Sequence, residues 1–123
     1  MNAFPFISVV MPVRNEARFI ADTIRQLLNQ DYPKDCFEIL VADGMSDDGT
    51  RDIVARIAEG DECVRLLDNP KMRSSSGRNV GFRAGRGDYF VVVDGHCHIP
   101  DDQFLRNIAE CFETSGADCL GRP

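Results

Sequence analysis

The chain has 123 residues, enough for one domain with a real core. Hydrophobic residues make up 43% and charged residues 28%, which excludes a disordered chain, and no run of ~18 apolar residues offers a membrane span. The net charge of −6 argues against a nucleic-acid partner.

Residues 6–11 form a continuous apolar run, as a strand covered on both faces should, and Pro12 is expected to stop it. Residues 17–30 read as a helix with Ile20, Ile24, Leu27 and Leu28 on one stripe. Asn15 is its expected N-cap, and Asp31-Tyr32-Pro33 ends it. Residues 37–42 are the second strand, stopping at Asp43. The loop 44–50 passes into a helix start, where its acids complement the positive end of the dipole. That helix buries Ile53, Val54 and Ile57 and breaks at Gly60. Residues 64–67 are a short third strand, and Asn69-Pro70 is a turn. Ser74-Ser75-Ser76 opens a third helix that carries Gly77, Gly81 and Gly85 at four-residue spacing. Each mid-helix Gly costs ~1 kcal/mol against Ala, so this face either approaches a ligand closely or packs flat on the sheet. Residues 88–93 are the fourth strand. Residues 101–114 are the fourth helix, with Phe104, Ile108 and Phe112 inward and Pro100 sharpening its start.

The order is βαβαβαβα. Right-handed crossovers make such a chain a doubly wound, mostly parallel, Rossmann-like α/β sheet, here as a single domain over residues 1–123. The simplest strand order is 3-2-1-4. It reverses between strands one and four, so a crevice opens at their carboxyl ends, where ligands bind. Residues 13–16, 43–46 and 94–98 are delivered to that edge.

Twelve Arg stand against two Lys, Lys34 and Lys71. Arg73, Arg78, Arg83 and Arg86 crowd into one stretch. Arg grips phosphate in a bidentate fork, although compositional bias explains the excess equally. The five cysteines, Cys36, Cys63, Cys97, Cys111 and Cys119, form no C-x-x-C pair and fit idle thiols in a reducing cytosol. The start, MNAFPFISVVMP, lacks the basic segment of a leader peptide. A cytoplasmic protein is expected, and attachment to the inner face of a membrane through further sequence or a partner stays open.

Glu16, Asp43 and Asp94 each follow a different strand. Strand-end acids in a crevice repel unless a cation or a hydrogen-bonding ligand sits between them. Asp94-Gly95-His96 offers a hard oxygen and a borderline nitrogen, and Gly95 allows a tight turn that brings both to one ion. Carboxylate suits Mg2+ and Mn2+, and imidazole moves the preference toward Mn2+ or Zn2+. Two ligands are too few for a closed zinc site but enough for an ion that completes its shell with diphosphate oxygens and water. Such an ion would offset the diphosphate charge. Two alternatives stand beside this one. Asp94 caps the turn and His96 is a polar loop residue, or His96, Cys97 and His98 form a zinc tract. Adjacent residues rarely converge on one tetrahedral ion, which disfavours the tract.

ISVVMPVRNE, then EILVADGMSDDGT, then GRNVGFRAGRGDYFVVVDGH resembles the start of a family 2 inverting glycosyltransferase of the GT-A fold. The DGMS and DGH variants look most similar to the bacterial exopolysaccharide branch of succinoglycan type. The resemblance implies a nucleoside-diphosphate sugar donor, with a UDP-sugar favoured, and a glycan or lipid-linked acceptor. It implies that Pro12, Val13, Arg14 and Glu16 line base and ribose, that Asp43 bonds the base, and that Arg78 lies near the diphosphate. Asp94 matches the first acid of the D-x-D motif, with Gly95 at its centre. His96 departs from the pattern, standing where a second acid is usual. Asp94 and His96 would then hold Mn2+ or Mg2+. The acceptor site and general base belong to the family's second half, which this chain is expected to lack. It is therefore expected to transfer poorly alone, and to self-associate as a homodimer through an exposed sheet edge.

Three rivals differ in what they require. A catalytically silent nucleotide-sugar-binding module would carry the same motifs. A sugar nucleotidyltransferase would want a Gly-rich phosphate loop where PVRNE stands. A receiver-type signalling domain would want an acid pair after strand one, where Glu16 is alone.

Overall fold

Four strands, β1 (Ile7–Val13), β2 (Phe37–Asp43), β3 (Val64–Asp68) and β4 (Tyr89–Val92), pair in parallel in the order β3-β2-β1-β4. The structure is a computed structural model and describes residues 4–115. Helices α1 (Ile20–Leu28), α2 (Thr50–Gly60), α3 (Ser74–Ala84) and α4 (Phe104–Ser115) follow the strands in turn. All seven residues of β2 are buried, as expected of a strand paired on both sides and covered on both faces.

The side-chain alternation of β1 divides the molecule. Ile7, Val9, Met11 and Val13 join Ile20, Ile24 and Leu27 of α1, Val54 of α2, and Leu105 and Ala109 of α4 in the main core. The opposite face of β1 presents Ser8, Val10 and Pro12, and α3 lies on it. A Cβ at Gly77 would stand 2.8 Å from Pro12 Cβ. One at Gly81 would collide with the Val10 methyls, and one at Gly85 would stand 3.0 Å from Ser8 Oγ. Four helical residues rise ~6.0 Å and two strand residues ~6.6 Å, so the glycine row keeps step with every second residue of β1. Of the two expectations for this row, packing on the sheet is the one found.

Two local expectations are corrected. β1 runs through Pro12, which pairs with Ala42. Val10 O accepts from Val93 N, and Val13 O accepts from Gly44 N. By alternation Pro12 faces the β4 side, where pairing has ended at Val10, so its missing N–H costs no ladder bond. Asn15 does not cap α1. The helix starts later, after Phe19, and has no side-chain cap.

At the amino end of the sheet Glu38 is buried. It accepts from Ser8 Oγ (2.7 Å), from Arg86 N (2.7 Å) and from Arg86 Nη2 (3.2 Å). Burial opposes its ionisation, but the bonds from Arg86 and Ser8 win and hold its carboxyl below the usual value of 4.5. Among the described residues no helix is long and apolar enough to cross a membrane. Cys119 lies outside the described residues.

Candidate functional site

The loops after β1 and β2 are stitched into one unit. Asn15 N donates to Ser46 Oγ (2.8 Å), Glu16 N to Thr50 Oγ1 (2.9 Å) and Ala17 N to Asp48 Oδ2 (3.1 Å). In return Asp47 N donates to Asn15 Oδ1 (2.9 Å), which is why Asn15 is not available as a cap. Asn15 and Met45 have φ of 54° and 61°, and Met72, in the loop after β3, has φ 66°. Left-handed backbone is costly for residues with a Cβ. Among the described residues the non-glycine cases all lie at this end of the sheet, where strained loops accompany function.

Asp43 sits at the base of this unit and has no exposed surface. Its Oδ1 accepts from Ser46 Oγ (2.6 Å), and its Oδ2 from Ser46 N (2.9 Å) and Arg51 Nη1 (3.1 Å). Arg51 Nη2 also donates to Asp68 Oδ1 (2.6 Å), so one guanidinium ties the ends of β2 and β3. Contact with a nucleobase would require Asp43 to be uncovered first.

Pro12, Val13 and Arg14 line a hollow of about 70 Å³ with Asn69, Met72, Arg73 and Ser74. Small-molecule pockets run to roughly 300–1,000 Å³, so this hollow alone is too small to enclose a ligand of nucleotide size. Arg14, Arg73 and Arg78 are exposed, and none forms an ion pair among the described residues.

Glu16 is joined to the loop after β4. Its Oε2 lies 2.7 Å from His96 Nδ1. The hydrogen bond and charge of Glu16 raise the His96 pKa above its usual value, and Asp94 adds to the rise. Gly95 lies in the expected tight turn, which Cys97 N closes by donating to Asp94 O (3.2 Å), but without left-handed backbone. It is needed for space, because a Cβ there would stand 2.8 Å from Val13 Cγ1 and 3.2 Å from Glu16 Cγ. Asp94 and His96 are both exposed. Among the described residues no three His, Cys, Asp or Glu side chains gather to enclose a metal, so His96, Cys97 and His98 do not form a zinc tract. The donor set, one carboxylate and one imidazole facing solvent, fits an open divalent site that takes its remaining ligands from a bound diphosphate.

The structure therefore groups Pro12, Val13 and Arg14 at the hollow, and brings Glu16, Gly95 and His96 to one another. It buries Asp43 beneath the loops and leaves Arg78 out on α3. Sequence reasoning missed Ser46, Thr50 and Arg51. The Ser and Thr of DGMSDDGT were the available signal, since such residues bond loop backbone.

The model for "Glycosyl transferase family 2" matches residues 8–121. The chain is 33% identical over 110 residues to a dolichyl N-acetyl-alpha-D-glucosaminyl phosphate 3-beta-D-2,3-diacetamido-2,3-dideoxy-beta-D-glucuronosyltransferase of Methanococcus voltae, covering 88% of this chain and 34% of the relative. It is 38% identical over 114 residues to the succinoglycan biosynthesis protein ExoA of Rhizobium meliloti, covering 91% and 34%. Among solved structures it is similar to the mannosyltransferase PcManGT from Pyrobaculum calidifontis in complex with GDP-Man and Mn2+. The TM-score is 0.81 at 27% identity, over 89% of this chain and 33% of that one. The chain thus spans about a third of the length of these relatives.

Proposed function

The chain belongs to glycosyl transferase family 2, and from that premise we propose that it holds a nucleoside-diphosphate sugar, through a divalent cation, for transfer to a glycan or lipid-linked acceptor in polysaccharide synthesis. Its sheet order is that of the GT-A fold. The observation that carries the proposal is the pairing of Glu16 with His96 Nδ1 beside Asp94. With Nδ1–H donated to Glu16, the lone pair of the neutral imidazole resides on Nε2, the arrangement in which carboxylates set a histidine for metal binding. Asp94 and His96 would hold Mn2+ or Mg2+, which would neutralise charge on the diphosphate leaving group. Pro12, Val13 and Arg14 would floor the nucleoside, and Arg78 would meet the phosphates. An inverting transfer also needs a base for the acceptor hydroxyl, and no described residue is assigned that role. The resemblance favours uracil as the base, whereas PcManGT was solved with GDP-Man, so both nucleotides belong in the test.

The test is calorimetric titration with UDP and GDP, each with Mn2+ and then with chelator. One nucleotide should bind with metal and lose most of its affinity in chelator. Asp94→Ala should abolish the metal-dependent part, and His96→Ala should weaken it by about ten-fold, the worth of one lost ligand interaction of ~1.4 kcal/mol. Equal binding in chelator, or an unaffected Asp94→Ala, would refute the cation site.

A further inference from the structure

The loop between β4 and α4 has little backbone bonding of its own. Over residues 93–103 the backbone bonds are Val93 N to Val10 O, Cys97 N to Asp94 O, Asp31 N to Asp102 O and Asn107 N to Gln103 O. Side chains of α1 take over. Thr23 Oγ1 donates to Gly95 O (2.9 Å). Gln26 uses both ends of its amide: Nε2 donates to Cys97 O (3.4 Å), and Oε1 accepts from Ile99 N (2.6 Å). Further along, Gln30 Nε2 donates to Asp101 O (2.8 Å) and its Oε1 accepts from Leu105 N (3.0 Å). Thr23, Gln26 and Gln30 stand at three- and four-residue spacing, on one face of α1 and its continuation. Thr23 and Gln30 are buried, at 1% and 7% exposure, so these are not incidental surface contacts.

We propose that Thr23 and Gln26 are positioning residues for the nucleotide-binding loop, setting the distance between the Asp94 and His96 side chains by fixing the peptides around them. Gly95 O, the acceptor of Thr23, belongs to the peptide that joins Gly95 to His96. Its orientation sets the direction in which the imidazole leaves the backbone. Gln26 fixes the next turn from both sides, so the loop cannot slide along α1 without breaking two bonds. Neither side chain belongs to the apolar stripe of Ile20, Ile24 and Leu27, and the substitutions chosen keep the volume that buried Thr23 fills. Their role rests on the cation site proposed at Asp94 and His96.

Thr23→Val removes the hydroxyl at nearly constant shape, and Thr23→Ser keeps it. Gln26→Met removes the amide at similar length. In titrations with UDP and GDP plus Mn2+, Thr23→Val and Gln26→Met should each lose about ten-fold in affinity, the weight of one hydrogen bond. Affinity in chelator should not change, and Thr23→Ser should stay near wild type. A merely structural threonine would lower Tm in Thr23→Val while leaving the ratio of affinities with and without Mn2+ intact, and that result overturns the proposal. Amide hydrogen exchange separates its failure from failure of the nucleotide site. In ligand-free Gln26→Met, Ile99 N–H should exchange about ten-fold faster while β1 and β2 amides keep their protection. If the wild type binds neither nucleotide, faster exchange at Ile99 still supports the positioning of the loop. Unchanged exchange refutes it, whatever the nucleotide does.

Discussion

Replacing Gly81 by Ala sets two known effects against each other. Alanine improves helix propensity by ~1 kcal/mol in the interior of α3. Its Cβ would meet Val10, which is fully buried on the central strand β1. One methyl would be overlapped outright, Val10 Cγ2 would lie at 3.0 Å and Val10 Cβ at 3.2 Å. Rotating the valine does not help, since its Cβ stays in place and its rotamers are few. The helix must lift instead, and lifting it also separates Gly77 from Pro12 and Gly85 from Ser8. That places the cost at the upper end of overpacking, ~3 kcal/mol, for a net loss of ~2 kcal/mol. For a domain of this size Tm should fall by roughly 8 °C. Thermal melts and urea titrations of Gly81→Ala measure this, with an unchanged m-value expected. Gly60, at the end of α2, is the control, because a Cβ there meets nothing within 4 Å and Ala should be neutral or slightly stabilising. Gly81→Ala with a Tm at or above wild type would show that α3 does not rest on β1 as described.

Two further outcomes follow from named contacts. Glu38 has a folded pKa below 4.5, so its stabilising contribution is complete above that value and is lost as pH falls through the folded pKa. Melts from pH 7 down to about 3 should therefore show Glu38→Gln less stable at neutral pH but flatter in acid, and parallel curves would contradict this. Gly95→Ala would press a Cβ against Val13 and Glu16. It should reduce Mn2+-dependent nucleotide binding by about ten-fold or more with an unchanged far-ultraviolet spectrum, and unaltered titrations would count against the tight seat of this loop.

The strand order and the edge that collects the loops were legible because apolar runs alternate with amphipathic segments, and right-handed crossovers leave few ways to lay them down. The glycine spacing was legible too, but not its meaning, since spacing does not say what lies opposite. Pro12 misled because a proline's effect on a strand depends on which side its absent N–H faces, a property of neighbours rather than of the run itself. Asn15 misled because its side chain chose the Asp47 amide, in a loop more than thirty residues away, over the helix it precedes. Thr23, Gln26 and Gln30 stand off the apolar stripe and drew no notice in the sequence, yet Thr23 and Gln30 are buried, and their partners are main-chain atoms some seventy residues distant. Glu16 was legible as a crevice acid. Its bond to His96 was not, because it depends on how β1 and β4 end side by side.

Toward this loop Thr23, Gln26 and Gln30 bond only atoms that nearly every amino acid carries. Gly95 O, Cys97 O and Asp101 O accept, and Ile99 N and Leu105 N donate. Apart from proline at 99 or 105, which would lack the required N–H, this frame is indifferent to what the loop displays. Path and display are therefore separable at 94 and 98, whereas His96 is also held by Glu16, 2.7 Å from its Nδ1, so a carboxylate at 96 would set two like charges face to face and press on the loop's course.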